Sequence, residues 1–273
     1  MFEMFEHPFM VRALLSGLFI AIPAAIIGAT LVLRKNSMIS DGLSHTAFGA
    51  MAVAMAIGVA PLALAIPVSI LAAFVILKIG KNRRINGDAA IALMSTASLA
   101  IGVIAISLSG GVNFDLNSYL FGSVLAVSVV DVVLSGLVAA VAVVLYLFLH
   151  HRIFAITFDE EFARSIGIKT EVYNAVFAII AALIVVVGMK LLGALLISSL
   201  IIFPTFFAMR FTKSFKWTVI LAALEGVGAF LIGLVLSYSL NLPTGATVVS
   251  THVLGLVFAY GISWITATGR RGL

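Results

Sequence analysis

The sequence predicts an all-α, polytopic membrane protein, and three observations predict it. Hydrophobic residues make up 63% of the 273 positions and charged residues only 10%, whereas a soluble domain carries roughly 25% charge. Apolar runs of about 20 residues, the length needed to cross a bilayer core of about 30 Å, follow one another along the chain. The loops between them are short and hold most of the charge. The formal net charge of +5 therefore reflects membrane topology. Basic residues do not gather on one face, and no nucleic-acid partner is expected. The absence of cysteine excludes disulfides and thiolate metal ligands.

Cut at spanning length, the runs give about nine transmembrane helices (eight to nine) in a single domain over residues 1–273, near 9–33, 42–60, 62–79, 89–109, 130–149, 172–190, 192–209, 217–239 and 246–267. The first run lacks a basic leader and is expected to stay as a helix. Residues 42–77 are too long for one span, and Gly58 with Pro61 supplies the break for a helical hairpin. Asn241, Pro243 and Gly245 do the same between the last two spans. Ala222 with Gly226, and Ala229 with Gly233, have the spacing that lets membrane helices approach closely.

Alternating the spans places every Lys and Arg except Arg12 and Lys190 on one side, which the positive-inside rule makes cytoplasmic. The N-terminus is then outside, the C-terminus cytoplasmic, and the protein a multi-pass component of the plasma or inner membrane. On the outer side, the apolar part of residues 113–129 is too short to cross and is expected to form a re-entrant element packed in protein. Asn113 and Asp115 there either cap that element or receive a cation.

The longest charged interruption surrounds residues 158–168. Asp159, Glu160, Glu161 and Arg164 alternate with Phe158, Phe162, Ile166 and Ile168 at helical spacing, which predicts a short amphipathic helix with one apolar face. It cannot span the bilayer. A protein partner on the cytoplasmic side is the expected cover for that face.

Polar residues inside spans are costly and are candidate functional groups. Asp41 and His45 stand four apart, one above the other on a helix face, a spacing that lets both hold one divalent cation. The same pair also fits a helix cap at Asp41 and a bundle hydrogen bond at His45. Glu225 lies mid-span in the eighth run and His252 in the ninth. They either complete a polar pathway or, for Glu225, form a structural pair with Lys190. No phosphate-binding G-x-x-x-x-G-K-[ST] loop occurs, nor H-E-x-x-H or G-x-S-x-G, so the chain is not expected to be an enzyme, and its energy must come from elsewhere.

Five stretches carry a resemblance over nearly the whole chain: LVLRKNSMISDGLSHTAFGA (31–50), NFDLNSYLFGSVLAVS (113–128), FDEEFARSIG (158–167), VGMKLLGALLISSLIIFPTFFAMRF (187–211) and LPTGATVV (242–249). In this order they resemble the permeases of the zinc, manganese and iron branch of ATP-binding-cassette uptake transporters. The resemblance implies a homodimer, a separate cytoplasmic ATPase docked on the coupling helix, and an extracytoplasmic metal-binding protein that delivers the ion. It implies Phe158, Asp159, Phe162, Ala163 and Gly167 as coupling positions and favours Asp41 and His45 as pathway ligands. Glu225 and His252 match no motif of the family and remain candidates on physical grounds. The run 189–195 is more similar to the zinc-uptake members, so zinc is the expected cargo, with manganese or iron as alternatives and no cofactor held by the chain itself. A stand-alone secondary transporter, with Glu225, Lys190 and Asp41 as an ion relay, is the competing expectation.

Overall fold

The computed structural model describes residues 6–80, 87–109, 119, 121, 122 and 127–269. Among the described residues ten helices follow in order: α1 (Pro8–Leu33), α2 (Met38–Ala56), α3 (Pro61–Gly80), α4 (Gly87–Leu108), α5 (Val129–Phe158), α6 (Glu160–Ser165), α7 (Thr170–Leu192), α8 (Ala194–Phe211), α9 (Phe215–Leu240) and α10 (Thr244–Gly269). Among the described residues, eight helices are long and apolar enough to cross a membrane. The exception of comparable length is α2, which holds Ser40, Asp41, Ser44, His45 and Thr46. It can be more polar because most of its surface is buried against protein.

Loop chemistry sets the turns. After α1, the Asn36 N–H donates to the Leu31 carbonyl at 2.8 Å and that of Lys35 to Val32 at 2.9 Å, with Lys35 left-handed at φ 60°. This Schellman closure returns the chain so promptly that α2 starts at Met38, four residues before the second apolar run, which was expected from 42. The hairpin expected at Gly58 and Pro61 is present: Val59 N–H donates to the Ala54 carbonyl at 2.8 Å across Gly58 at φ 73°, and Pro61 opens α3. Another expected boundary moves. The fifth span was read as ending at 149, but α5 continues to Phe158, because bilayer thickness limits the apolar run and not the helix. The helix stops where Asp159 turns extended at φ −153°.

Helices α1, α7 and α8 form the centre. α2 packs between α4 and this centre, α3 lies against α7, α5 against α1, and α9 and α10 against α8. Large side chains buried to completion, such as Phe48, Ile184, Leu196, Ile197 and Phe230, point inward from α2, α7, α8 and α9, whereas Leu93, Leu108, Val130, Phe148 and Phe258 remain exposed on α4, α5 and α10. Apolar groups outside as well as inside suit a bundle whose solvent is lipid. Small residues bring the backbones together. A Cβ at Gly49 of α2 would lie 2.3 Å from the Ser98 carbonyl oxygen of α4, and one at Gly28 of α1 would lie 1.9 Å from that of Ile201 of α8. Gly226 faces Ala25 and Pro204, and Gly233 faces Val248, so the small-residue pairs of α9 do serve close contacts.

Most of residues 113–129, including Asn113 and Asp115, lie outside the described residues. Of those described, the Tyr119 hydroxyl is 3.7 Å from Met55 Sδ, Gly122 abuts the Leu192 carbonyl, and the Phe121 carbonyl abuts Gly245. These contacts close over the ends of α2, α7 and α10 on the face opposite α6.

Candidate functional site

Asp41 sits in the first turn of α2 and His45 one turn later, with Asp41 Oδ2 3.6 Å from His45 Nε2. The cap position belongs to Ser37, so the capping alternative for Asp41 does not apply. Its carboxylate instead lies near the positive end of the helix. Both side chains are half-exposed. The neighbouring hydroxyls are turned back on their own helix, Ser44 Oγ donating to the Asp41 carbonyl and Thr46 Oγ1 to that of Gly42. His45 Nδ1 is buried with no hydrogen-bond partner.

The second pair bridges helices. His252 Nδ1 of α10 lies 3.1 Å from Glu225 Oε1 and 3.2 Å from Oε2 of α9, with the side chains 0% and 8% exposed. Gly255, one turn beyond His252, borders the pair, and a Cβ there would stand in ordinary contact with Glu225 Oε1 at 3.5 Å. From α8, Phe203 stacks on the imidazole at 6.3 Å between centroids. When Nδ1 donates to the carboxylate, Nε2 is left with its lone pair, and Nε2 is buried without a partner. A carboxylate that orients an imidazole in this way is the usual support of a metal-ligating histidine.

Lys190 is not Glu225's partner. Its Nζ donates to Asp131 Oδ1 at 2.6 Å, so the proposed relay of Glu225, Lys190 and Asp41 is not assembled. Asp131 also accepts from Ser128 N–H at 3.1 Å while its own N–H donates to Ser128 Oγ at 3.2 Å, a capping box that starts α5. The sequence reading missed Asp131, although Ser-x-x-Asp ahead of an apolar run is the signal for that cap. Among the described residues, no group of three or more His, Cys, Asp or Glu comes together to hold a metal ion. The two pairs stand apart.

At the end of α5, on the side where α2 begins, α6 is short and closed at both ends. Asp159 Oδ1 accepts from the Phe162 N–H at 2.8 Å. At the other end, Ile168 N–H donates to the Ala163 carbonyl and Gly167 N–H to that of Arg164, both at 3.1 Å, across Gly167 at φ 87°. Such a Schellman cap needs a left-handed residue, which glycine adopts without strain. Ala163 is buried, while Phe158, Phe162 and Ile166 are 61%, 59% and 57% exposed. The helix is thus held rigidly with its apolar residues outward.

Behind it lies a network that the sequence did not single out. Arg34, capping α1, donates from Nε to Thr157 Oγ1 at 3.2 Å and from Nη1 to Asn174 Oδ1 at 2.8 Å, and Asn174 Nδ2 donates to Glu160 Oε1 at 3.2 Å. One side chain so ties the α1–α2 turn to the end of α5, to α7 and, through Asn174, to α6. Burial pulls the Arg34 pKa down to about 10 against the opposing charge of Glu160, and Arg34 stays a cation at neutral pH. These residues line a cavity of about 310 Å³ with Asp88.

Comparison with known proteins agrees with this layout. The chain is 29% identical over 258 residues to the manganese import system permease protein ScaB of Streptococcus gordonii, covering 94% of this chain and 92% of that one. It is 28% identical over 250 residues to the high-affinity zinc uptake system membrane protein ZnuB of Haemophilus influenzae, covering 90% and 94%. The solved structure of PsaBC from Streptococcus pneumoniae in complex with Fab matches 93% of this chain and 91% of its counterpart at a TM-score of 0.83 and 28% identity. With residues 6–263 matching the model of the ABC 3 transport family, the chain belongs to that family.

Proposed function

We propose that the chain is the membrane permease of an ATP-driven importer of divalent metal ions, with zinc as the cargo and manganese or iron as the alternatives. The observation that carries this reading is the buried Glu225–His252 pair, which leaves an imidazole nitrogen open inside a membrane bundle. The half-exposed Asp41–His45 pair supplies a second, wetter stop. One open imidazole nitrogen at the dry stop and one imidazole with a carboxylate at the wetter stop suit a path that must release its ion, since conduction requires binding weak enough to leave. Imidazole with carboxylate favours zinc among the three metals, and relatives named for manganese as well as zinc import support the class.

In this reading the α6 face is cytoplasmic and the N-terminus outside, as the basic loops require. An extracytoplasmic binding protein delivers the ion, and two copies of the chain form the permease. Phe158, Phe162 and Ile166 enter a groove of a separate ATPase subunit. Asp159, Ala163 and Gly167 hold the helix that presents them. Movement of α6 passes through Glu160, Asn174 and Arg34 to the turn that leads into Asp41.

Uptake of zinc, manganese and iron by a deletion strain carrying the wild-type chain tests the cargo. Rescue by zinc alone is expected; rescue by manganese alone would remove zinc. Phe162→Asp is expected to abolish ATPase association while leaving the bundle folded, and normal uptake by that variant would overturn the docking role. Asp41→Asn keeps shape and loses charge, and unimpaired transport would return Asp41 to structure.

A further inference from the structure

Helices α1, α5 and α9 enclose an outward-opening groove of about 430 Å³ whose walls are almost wholly apolar, with Ile22, Ile26, Leu147, Ile220 and Leu224 among them. Its polarity is confined to one end. Lys216 and His150 close the groove on the side that bears α6, where His150 packs edge-on against Phe215 at 5.8 Å. No carboxylate lines the groove, and among the described residues Lys216 has no ion pair. Next to it Trp217 is exposed, as an aromatic ring at the level of the headgroups would be. Tyr146, one helical turn deeper than His150 on the groove wall, has a buried hydroxyl with no hydrogen-bond partner.

A long apolar trough with an uncompensated cation at its interfacial end matches one kind of occupant, an amphiphile with a tail and an anionic head. We propose that this groove binds one anionic phospholipid from the leaflet on the α6 side. Its acyl chain lies along Ile22, Leu147 and Leu224, and its phosphate meets Lys216 and His150. Basic pockets between membrane helices hold anionic headgroups for the same reason. A second copy of the chain seated here would have to bring a carboxylate to Lys216, and the apolar helix faces of this bundle offer few. The inference rests on the bundle lying in a membrane and not on which metal it carries.

Native mass spectrometry of the full chain, purified in detergent and titrated with phosphatidylglycerol or with phosphatidylcholine of identical acyl chains, tests it. Wild type is expected to retain one phosphatidylglycerol with about fivefold preference over phosphatidylcholine, the worth of one basic side chain at a membrane surface. Lys216→Ala should erase that preference, whereas Lys213→Ala, outside the groove, should keep it. Ala223→Trp, which fills the trough, should lower retention of both lipids. Equal retention of the two lipids by wild type would overturn the proposal. So would a preference unchanged in Lys216→Ala, or one lost equally in Lys213→Ala. In native membranes, Ala223→Cys is expected to stay uncrosslinked in this otherwise cysteine-free chain; disulfide formation between copies would assign the groove to a second copy instead.

Discussion

The two imidazole–carboxylate pairs contain the same groups and are built in opposite ways. Asp41 and His45 belong to one helix, four residues apart, half-exposed, with Oδ2 and Nε2 3.6 Å apart. Glu225 and His252 come from two helices, 27 residues apart, and are buried at 3.1 Å with a phenylalanine of a third helix stacked on the ring. A local pair is held by its own helix and tolerates change. A pair made across helices depends on the packing and also supports it, because each partner would otherwise be a buried polar group with nothing to bind. The difference separates a wet, forgiving stop on the proposed path from a dry, demanding one.

The largest expected effect breaks the dry pair. Glu225→Ala strands His252 in the interior and should cost about 3 kcal/mol of stability, read as a fall in thermal unfolding temperature in detergent, together with loss of metal uptake. Asp41→Ala, in the exposed pair, should cost less than about 1 kcal/mol while still lowering uptake. Equal destabilisation by the two substitutions would erase the distinction. Next in size, Gly49→Ala drives a Cβ toward the Ser98 carbonyl oxygen, 2.3 Å away, and should cost about 2 kcal/mol as α2 is pushed from α4. Because α2 carries Asp41 and His45, uptake should fall with it, and an unchanged unfolding curve would show that the contact is slack.

Charge alone is the sharper probe. Glu225→Gln keeps a hydrogen-bond acceptor for His252 Nδ1 but removes the charge that draws a cation through a low-dielectric passage. The apparent half-saturation for metal should rise about tenfold with assembly unchanged, a shift larger than Asp41→Asn produces, since the half-exposed site is screened by water. Superimposable uptake curves for Glu225→Gln and wild type would make that residue bundle glue. The smallest effect is expected at Arg34→Lys, which keeps the cation and loses the fork that reaches Thr157 and Asn174 together. Binding of the ATPase should persist while metal-stimulated hydrolysis drops about twofold to fivefold, at the lower end of what one residue on a coupling path contributes.

Much of this architecture is legible in the sequence. Membrane class, spans and hairpin breaks follow from local quantities, namely run length, Gly58, Pro61 and Asn241, and each acts on its own neighbours. The short helix expected near 158–168 is legible in part: the charged interruption marks its place, but the structure ends α5 at Phe158 and confines α6 to Glu160–Ser165, because Asp159 turns extended and caps a new helix. The Asp41–His45 pair was visible because spacing four on a helix is geometry already. Where α2 begins was not visible, because a Schellman turn at Lys35 uses a residue other than glycine in the left-handed region, which composition does not reveal.

What the sequence by itself determined, then, is a bundle of membrane helices with its basic loops on one side and an amphipathic helix among them. Hydrophobic runs and helical spacing act over a few turns, and no distant residue can alter them. What only the tertiary structure decided is the choice of partners. The sequence offered Lys190 as the structural partner of Glu225, and packing gave Lys190 to Asp131 and His252 to Glu225. Arg34 was one basic loop residue among many until three helix ends met around it. Partnerships of that kind depend on how helices far apart in sequence lie against one another, which is set by the fit of glycines such as Gly28 and Gly49 against opposing backbones and not by any pattern along the chain.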